Sequence, residues 1–165
     1  MTPSLAWRSE PVASDVARVR AIVEATGRFN AEEVAIAVEL VEDRLTKGAA
    51  SDYAFVLAEE GGTLVGYACF GRIPGTEGSY DVYWLAVDPR AQGRGVGREI
   101  LRACEAEVVR LGGRRIYLDT SARPDYAPAR AFYEACGYRC EAVLRDFYRP
   151  GDGKAIFCRV VGGQR

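Results

Sequence analysis

The alternation of apolar and polar positions divides the chain into eleven predicted elements. Apolar residues at every second position predict strands, and apolar residues at three- and four-residue steps predict helices. The predicted strands cover residues 5–8, 53–59, 63–71, 80–87, 114–120, 138–149 and 154–161, and the predicted helices cover 14–27, 30–48, 98–111 and 129–136. A helix connects strands 80–87 and 114–120, so these two are expected to be parallel neighbours. The order predicts an α/β protein with a mixed sheet flanked by helices.

A glycine-rich segment joins strand 80–87 to the helix that follows it. It reads Gln92-Gly93-Arg94-Gly95-Val96-Gly97, with a glycine at every second position. The first N–H groups of a helix have no partner inside the helix, and the helix dipole adds partial positive charge there, so phosphate oxygens are natural ligands. Arg94 and Arg98 can add full positive charges. The segment is therefore predicted to bind a phosphate group, and the alternative is a turn that only caps the helix.

The spacing of these glycines argues against two common phosphate-binding loops. A nucleoside triphosphatase loop requires Gly-Lys followed by Ser or Thr, whereas Gly97 is followed by Arg98 and Glu99. A dinucleotide-binding loop requires Gly-x-Gly-x-x-Gly, and the third glycine here stands one position too early. Neither interpretation fits the segment.

Composition narrows the class of protein. The 165 residues fit one domain with a sizeable core, and a net charge of −1 gives no basic excess for nucleic acid. No apolar run reaches the ~20 residues of a membrane span, and the amino terminus lacks a secretory signal, so a cytoplasmic protein without a membrane partner is expected. Five separate cysteines and no histidine argue against a disulfide framework and a metal site. Acid–base work is left to carboxylates, tyrosine, cysteine or water.

The glycine segment resembles the Gln/Arg-x-x-Gly-x-Gly/Ala signature of the GNAT superfamily of N-acetyltransferases. Gln92, Gly95 and Gly97 match it, after a strand followed by Asp88-Pro89. In that family the loop holds the pyrophosphate of acetyl-CoA, so the resemblance implies acetyl-CoA as the co-substrate. The implied fold is a single domain over residues 1–165, with a mixed, mostly antiparallel sheet that contains one splayed parallel strand pair.

A second motif lies in helix 129–136 and the strand after it. GNAT enzymes commonly have Asn-x-x-Ala-x-x-Phe-Tyr-x-x-x-Gly-Phe at this point. The matching residues are Ala129, Phe132, Tyr133, Gly137 and the aromatic Tyr138. Tyr126 stands where the family has Asn, which puts one polar contact to the cofactor arm in doubt. The resemblance covers about residues 64–160.

The resemblance implies a cofactor site built from both motifs and from the end of strand 80–87. The residues expected to bind acetyl-CoA are Leu85, Ala86, Val87, Gln92, Gly93, Arg94, Gly95, Val96, Gly97, Arg98, Ala129 and Phe132. Where the parallel strands splay apart, unpaired N–H and C=O groups of Leu85 and Val87 would pair with the amide-bearing pantetheine arm as with an added strand.

Two residues are expected to move protons. Tyr133 is protonated at neutral pH, because the unperturbed pKa of tyrosine is about 10, and it can give its proton to the departing thiolate; the resemblance assigns it this role, and the alternative is a core aromatic. Asp81 stands where several GNAT enzymes carry a carboxylate base, and Glu77 or water are the alternatives. Strand alternation places Trp84 on the opposite face from Asp81, in the core or in an acceptor pocket.

These expectations define an acyltransferase. It would move an acetyl group from acetyl-CoA to a primary amine of a small molecule or peptide, by direct attack in a ternary complex. The alternative is a CoA-binding regulatory domain without turnover. The acceptor, the acyl-chain length and the oligomeric state, a homodimer included, are left open by the sequence.

Overall fold

The structure is a computed structural model that describes residues 4–162. Its strands and helices follow the predicted order, and their bounds differ from the predicted ones by a few residues. The strands are β1 Ala6–Arg8, β2 Ala54–Glu60, β3 Thr63–Arg72, β4 Ser79–Val87, β5 Arg115–Ser121, β6 Arg139–Arg149 and β7 Asp152–Val160, and the helices are α1 Asp15–Ala25, α2 Ala31–Lys47, α3 Val96–Arg110 and α4 Ala127–Ala135. Within the described range, no helix is both long and apolar enough to cross a membrane.

The strands form a mixed sheet in the order β1-β2-β3-β4-β5-β7-β6. The pairs β1–β2, β2–β3, β5–β7 and β6–β7 are antiparallel, and β4–β5 is parallel, as predicted. The parallel register covers three residue pairs, from Ser79–Arg115 to Asp81–Tyr117, although both strands continue beyond them. β5 is paired over its whole length with β7. The predicted fold class, an α/β protein with one parallel pair in a mixed sheet, is confirmed.

The chain forms two compact units. Unit 1 contains the residues up to Gly71 together with Val82–Glu107, and unit 2 contains Arg72–Asp81 together with the residues from Val108 onward. Strand β4 and helix α3 contribute residues to both units. The single domain over residues 1–165 stays a prediction.

The core of unit 1 is formed by apolar side chains of α1, α2, β2 and β3. Helix α2 begins with a capping box: the Asn30 side chain accepts a hydrogen bond from the Glu33 N–H, and the Glu33 carboxylate accepts one from the Asn30 N–H, both at 2.8 Å. Val34, Val38 and Val41, at steps of four and three residues, are buried. Leu45, the next residue at this spacing, is exposed in the last turn.

At the start of α1, a buried ion pair takes the place of a side-chain cap. The Ser14 side chain makes no capping hydrogen bond in the described structure. The carboxylate of Asp15 is fully buried and accepts hydrogen bonds from the Val12 N–H at 2.8 Å and from the Arg8 guanidinium at 3.0 Å. Because Arg8 lies in β1, this ion pair ties β1 to α1.

The β6–β7 hairpin of unit 2 contains a large irregularity. Leu144 of β6 is opposite Lys154 of β7, but Arg149 is already opposite Asp152. Residues 145–148 therefore bulge out of the ladder against a single residue of β7. Asp146, within the bulge, has a φ of +52°. The bulge carries two exposed aromatic side chains, those of Phe147 and Tyr148.

All five cysteines have free thiols, and three of them are buried: Cys69, Cys104 and Cys158. Burial raises the pKa of the Cys69 and Cys104 thiols. Among residues 4–162, no group of three or more His, Cys, Asp or Glu side chains is placed to hold a metal ion.

Candidate active site

The glycine-rich segment in unit 1 is an exposed loop with two buried ends. Ala91 and Val96 are almost completely buried, and residues 92–95 between them are exposed. The Gln92 side chain folds back and donates a hydrogen bond to the Val87 carbonyl at 3.1 Å. The loop is thus attached to the end of β4, and its backbone faces solvent between the two anchors.

Gly93 and Gly95 adopt a backbone conformation that L side chains rarely adopt. Their φ values are +73° and +83°, and a Cβ atom at either position would have no other atom within 4 Å. The open space beside both residues lets a ligand approach the backbone closely. This geometry fits a pyrophosphate group, whose oxygens need backbone N–H donors with no side chain in front of them.

Helix α3 starts earlier than predicted. Its first helical hydrogen bond runs from the Glu99 N–H to the Gly95 carbonyl at 3.1 Å. Gly97 therefore lies in the first turn of the helix rather than in the loop. The N–H groups of Val96, Gly97 and Arg98 precede that first bond and have no acceptor within the helix. They form the positive end of the helix dipole directly after the two glycines.

Arg94 differs from the expectation of a free positive charge in the loop. Its guanidinium makes two hydrogen bonds to the Glu60 carboxylate, at 2.5 and 3.1 Å. The pair lowers the pKa of Glu60 through the side-chain hydrogen bond. Because Glu60 ends β2, the ion pair links the loop to the β2–β3 hairpin. Part of the Arg94 charge is therefore already balanced, whereas Arg98 is exposed on α3.

At the end of β4, one backbone group that was expected to be unpaired has a hydrogen-bond partner. The Val87 carbonyl, expected to be open for the pantetheine arm, accepts the Gln92 hydrogen bond. Leu85 and Val87 are partly exposed, whereas Ala86 is buried in the core of unit 1. Trp84 packs against that core, with its ring centroid 4.9 Å from that of Phe29, so it is a core residue.

The second sequence motif lies in unit 2 and covers the carboxyl-terminal end of helix α4. Helix α4 ends in a Schellman motif, in which the Tyr138 N–H donates to the Tyr133 carbonyl at 3.0 Å and the Gly137 N–H donates to the Glu134 carbonyl at 2.9 Å. Gly137 has the φ of +90° that this motif requires. The Arg159 guanidinium donates to the Cys136 carbonyl at 2.7 Å. The backbone of Tyr133 is therefore held in place by the Gly-aromatic pair that follows the helix.

The Tyr133 ring lies among aromatic side chains. Its centroid is 5.5 Å from that of Phe132, 5.8 Å from that of Phe157 and 6.5 Å from that of Tyr138. Tyr133, Phe132 and Ala129 are each partly buried. Tyr126, which replaces the family's Asn, precedes α4 and makes no capping hydrogen bond through its side chain in the described structure.

Asp81 is partly buried at the last registered pair of the parallel ladder, opposite Tyr117. Its pKa is raised, first by burial and then by the negative charge of Asp119, and the positive charge of Lys154 acts in the opposite direction. Glu77, the alternative base, is exposed in the loop before β4. A raised pKa makes a carboxylate a better general base near neutral pH, so the surroundings of Asp81 suit this role.

Sequence reasoning missed Asp119, Tyr148 and Lys154. The Tyr148 hydroxyl donates a hydrogen bond to an Asp119 carboxylate oxygen at 3.2 Å, and the Lys154 ammonium lies 3.5 Å from the same oxygen. The ammonium also lies 4.5 Å from the centroid of the Phe147 ring. The sequence signal for this cluster was an acidic residue, Asp119, inside the predicted strand 114–120.

Within each unit, the structure brings part of the predicted site together. In unit 1 these parts are the end of β4, the glycine loop and the start of α3. In unit 2 they are Asp81 with Asp119 and Lys154, and Tyr133 with Phe132 and Phe157. Phe157 is opposite Leu118 in the ladder, so Tyr133 packs on the face of β5 opposite to that of Asp119.

The acetyltransferase (GNAT) family model matches residues 20–138, well over half of the chain. The chain therefore belongs to the GNAT acetyltransferase family. A solved GNAT-family protein from Desulfovibrio desulfuricans superposes with a TM-score of 0.94 at 45% identity, covering 96% of this chain and 100% of that chain. The proposed recognition of this family from the two motifs is confirmed.

Two further comparisons bear on the cofactor and the acceptor. The N-alpha-acetyltransferase RimI from Mycobacterium tuberculosis is 39% identical over 106 residues, which cover 64% of this chain and 64% of RimI. The match thus spans less than two thirds of that relative. YncA from Salmonella typhimurium, solved with acetyl-CoA, superposes with a TM-score of 0.75 at 18% identity, covering 98% of this chain and 96% of that chain. At this identity the likeness shows the fold alone.

Proposed function

We propose that this protein transfers an acetyl group from acetyl-CoA to a primary amine of a small molecule or peptide, by direct attack in a ternary complex. Membership of the GNAT family supports the coenzyme, and YncA, which shares the fold, was solved with acetyl-CoA. The name of RimI supports an alpha-amino group as the acceptor. A homodimer and a cytoplasmic location stay predictions, which light scattering and cell fractionation can test.

The glycine loop is the observation that carries the proposal. Gly93 and Gly95 leave open space in front of the backbone, and α3 begins with N–H groups that have no acceptor within the helix. In the proposal these groups hold the pyrophosphate, and Arg98 adds charge. Leu85, Ala86 and Val87 hold the pantetheine arm through their backbone, with the Val87 carbonyl shared with Gln92. Ala129 and Phe132 of α4 stay predicted cofactor contacts.

Two side chains of unit 2 move the protons. The acceptor arrives mostly as an ammonium ion, and Asp81 takes a proton from it, directly or through water. The free amine attacks the thioester carbon, so that the N–C bond forms and the C–S bond breaks. Tyr133 gives its hydroxyl proton to the departing thiolate, which leaves as the CoA thiol. The nitrogen loses its second proton to solvent as the amide forms, Asp81 releases its proton to solvent, and Tyr133 regains one from solvent, so that one proton is released per turnover.

A thiol-release assay with acetyl-CoA and a panel of primary amines tests the proposal. We expect CoA release that depends on the amine, together with a product that is heavier by one acetyl group. CoA binding without turnover on any amine would instead support the regulatory alternative. No binding of CoA by calorimetry would contradict both.

A further inference from the structure

A charged pair stands beside the proposed base Asp81. Asp119 lies two residues after Tyr117, the β5 residue opposite Asp81, and therefore points to the same face of the sheet. Lys154 of β7 is opposite Ser121 and extends back to the Asp119 carboxylate at 3.5 Å. Asp81, Asp119 and Lys154 thus belong to one face at the end of the parallel ladder.

The bulge of residues 145–148 in β6 contacts the Asp119–Lys154 pair. Phe147 places its ring under the Lys154 ammonium, and Tyr148 donates its hydroxyl to Asp119. Both aromatic side chains are about half exposed, at 52% and 45%. The charged pair is therefore held by aromatic contacts but still faces solvent, where a polar molecule can reach it.

The three charges leave an excess of one negative charge beside the base. Two carboxylates face one ammonium, because Asp152 on β7 is already paired with Ser121 and Arg149. The charges of Asp119 and Lys154 both act on Asp81, in opposite directions. An incoming ammonium group would balance the excess. A carboxylate on the acceptor, next to that ammonium, would be repelled by the excess negative charge.

We propose that the Asp119–Lys154 pair determines acceptor specificity: it admits amines whose neighbouring group is uncharged, such as a peptide amino terminus or an alkylamine, and disfavours amines beside a carboxylate, such as free amino acids. The proposal rests on the acetyltransferase function argued above and on Asp81 lying next to the acceptor. Asp119 and Lys154 act through charge and take no part in bond making.

Alaninamide and alanine are a matched acceptor pair, since they differ in the neighbouring charge and hardly in size. The quantity measured is the ratio of kcat/KM for alaninamide to kcat/KM for alanine, at one pH and low salt. The two amines differ in basicity, but this factor is common to all variants and cancels when their ratios are compared. We expect the effect mainly in the acceptor KM, because the charges act on binding.

Two substitutions should change the ratio in opposite directions. Asp119→Asn leaves the Lys154 ammonium without its carboxylate, so the preference for alaninamide should fall about tenfold. Lys154→Met leaves two carboxylates without a cation, so the preference should rise by a similar factor. Asp119→Glu restores the charge and should restore most of the ratio. Tyr148→Phe removes a hydrogen bond but no charge, and its ratio should equal that of the wild type. Added salt should reduce all differences.

Different results would contradict the specificity proposal and the acetyltransferase function. Turnover with equal ratios in the wild type, Asp119→Asn and Lys154→Met would overturn the specificity proposal and leave the acetyltransferase function intact. A change in Tyr148→Phe as large as that in Asp119→Asn would also overturn it, because shape rather than charge would then select the acceptor. The absence of acetyl transfer to every amine would overturn the proposed function, and this inference with it.

Discussion

Replacement of Gly95 by alanine tests whether the glycine loop binds CoA or only begins a helix. The φ of Gly95 is +83° and a Cβ atom there would meet nothing within 4 Å, so Gly95→Ala creates backbone strain without a clash. Such a conformation costs an L-residue roughly 1–2 kcal/mol. In a chain of this size each kcal/mol lowers the Tm by about 2–4 °C, so we expect a measurable but tolerable loss of stability.

Gly112 offers a matched control at the other end of α3. Its φ is +84°, and its Cβ position is equally open. Gly112→Ala should therefore lower the free energy of unfolding by about the same amount as Gly95→Ala. No phosphate group is expected at this carboxyl-terminal end, where the helix dipole is negative. CoA affinity should therefore be unchanged in the control.

The two variants should differ in CoA binding. In the proposed complex, the methyl group of Gly95→Ala fills part of the open space beside the loop backbone and keeps the pyrophosphate away from the N–H groups that begin α3. Loss of one hydrogen bond to a charged group costs about 1.5–3 kcal/mol, which corresponds to roughly 10- to 150-fold weaker binding. Isothermal titration calorimetry with CoA measures this difference, and thermal unfolding without ligand measures the strain. Equal CoA affinities in the two variants would refute the binding role, whatever their stabilities.

Three further predictions concern single side chains. Tyr133→Phe should lower kcat by about 10²- to 10⁴-fold with little change in the KM for acetyl-CoA, as measured by steady-state kinetics. A variant with unchanged kcat would assign the acid role to another group. The rate should rise with pH through the raised pKa of Asp81, because only the ionised carboxylate accepts a proton, and Asp81→Asn should remove this limb; an unchanged profile would leave water or Glu77 as the base. Arg8→Met should destabilise the protein by up to about 3–5 kcal/mol in urea unfolding, because the buried Asp15 carboxylate then keeps only its longer ion pair with Arg18, at 3.7 Å. The double variant with Asp15→Asn should recover part of the loss.

Several features of this protein were predictable because they depend on residues close together in the chain. The capping box of α2 involves Asn30 and Glu33, three positions apart, and the Schellman motif that holds Tyr133 is completed by Gly137 and Tyr138. The turn between β2 and β3 and the glycine loop likewise follow from glycines that adopt positive φ. Local backbone chemistry specifies such features, so the element order and the position of the glycine loop could be predicted from the sequence.

The environment of each candidate catalytic group was decided by contacts between distant segments. Asp119 and Lys154 lie near Asp81 only because of the β4–β5 and β5–β7 registers, and Tyr148 reaches Asp119 only because residues 145–148 bulge out of the ladder. The ion pairs of Arg94 with Glu60 and of Arg8 with Asp15 have the same origin. A periodic pattern shows which face a side chain occupies but not which partner stands opposite. That choice depends on strand register and bulges, which are determined by packing across the whole sheet.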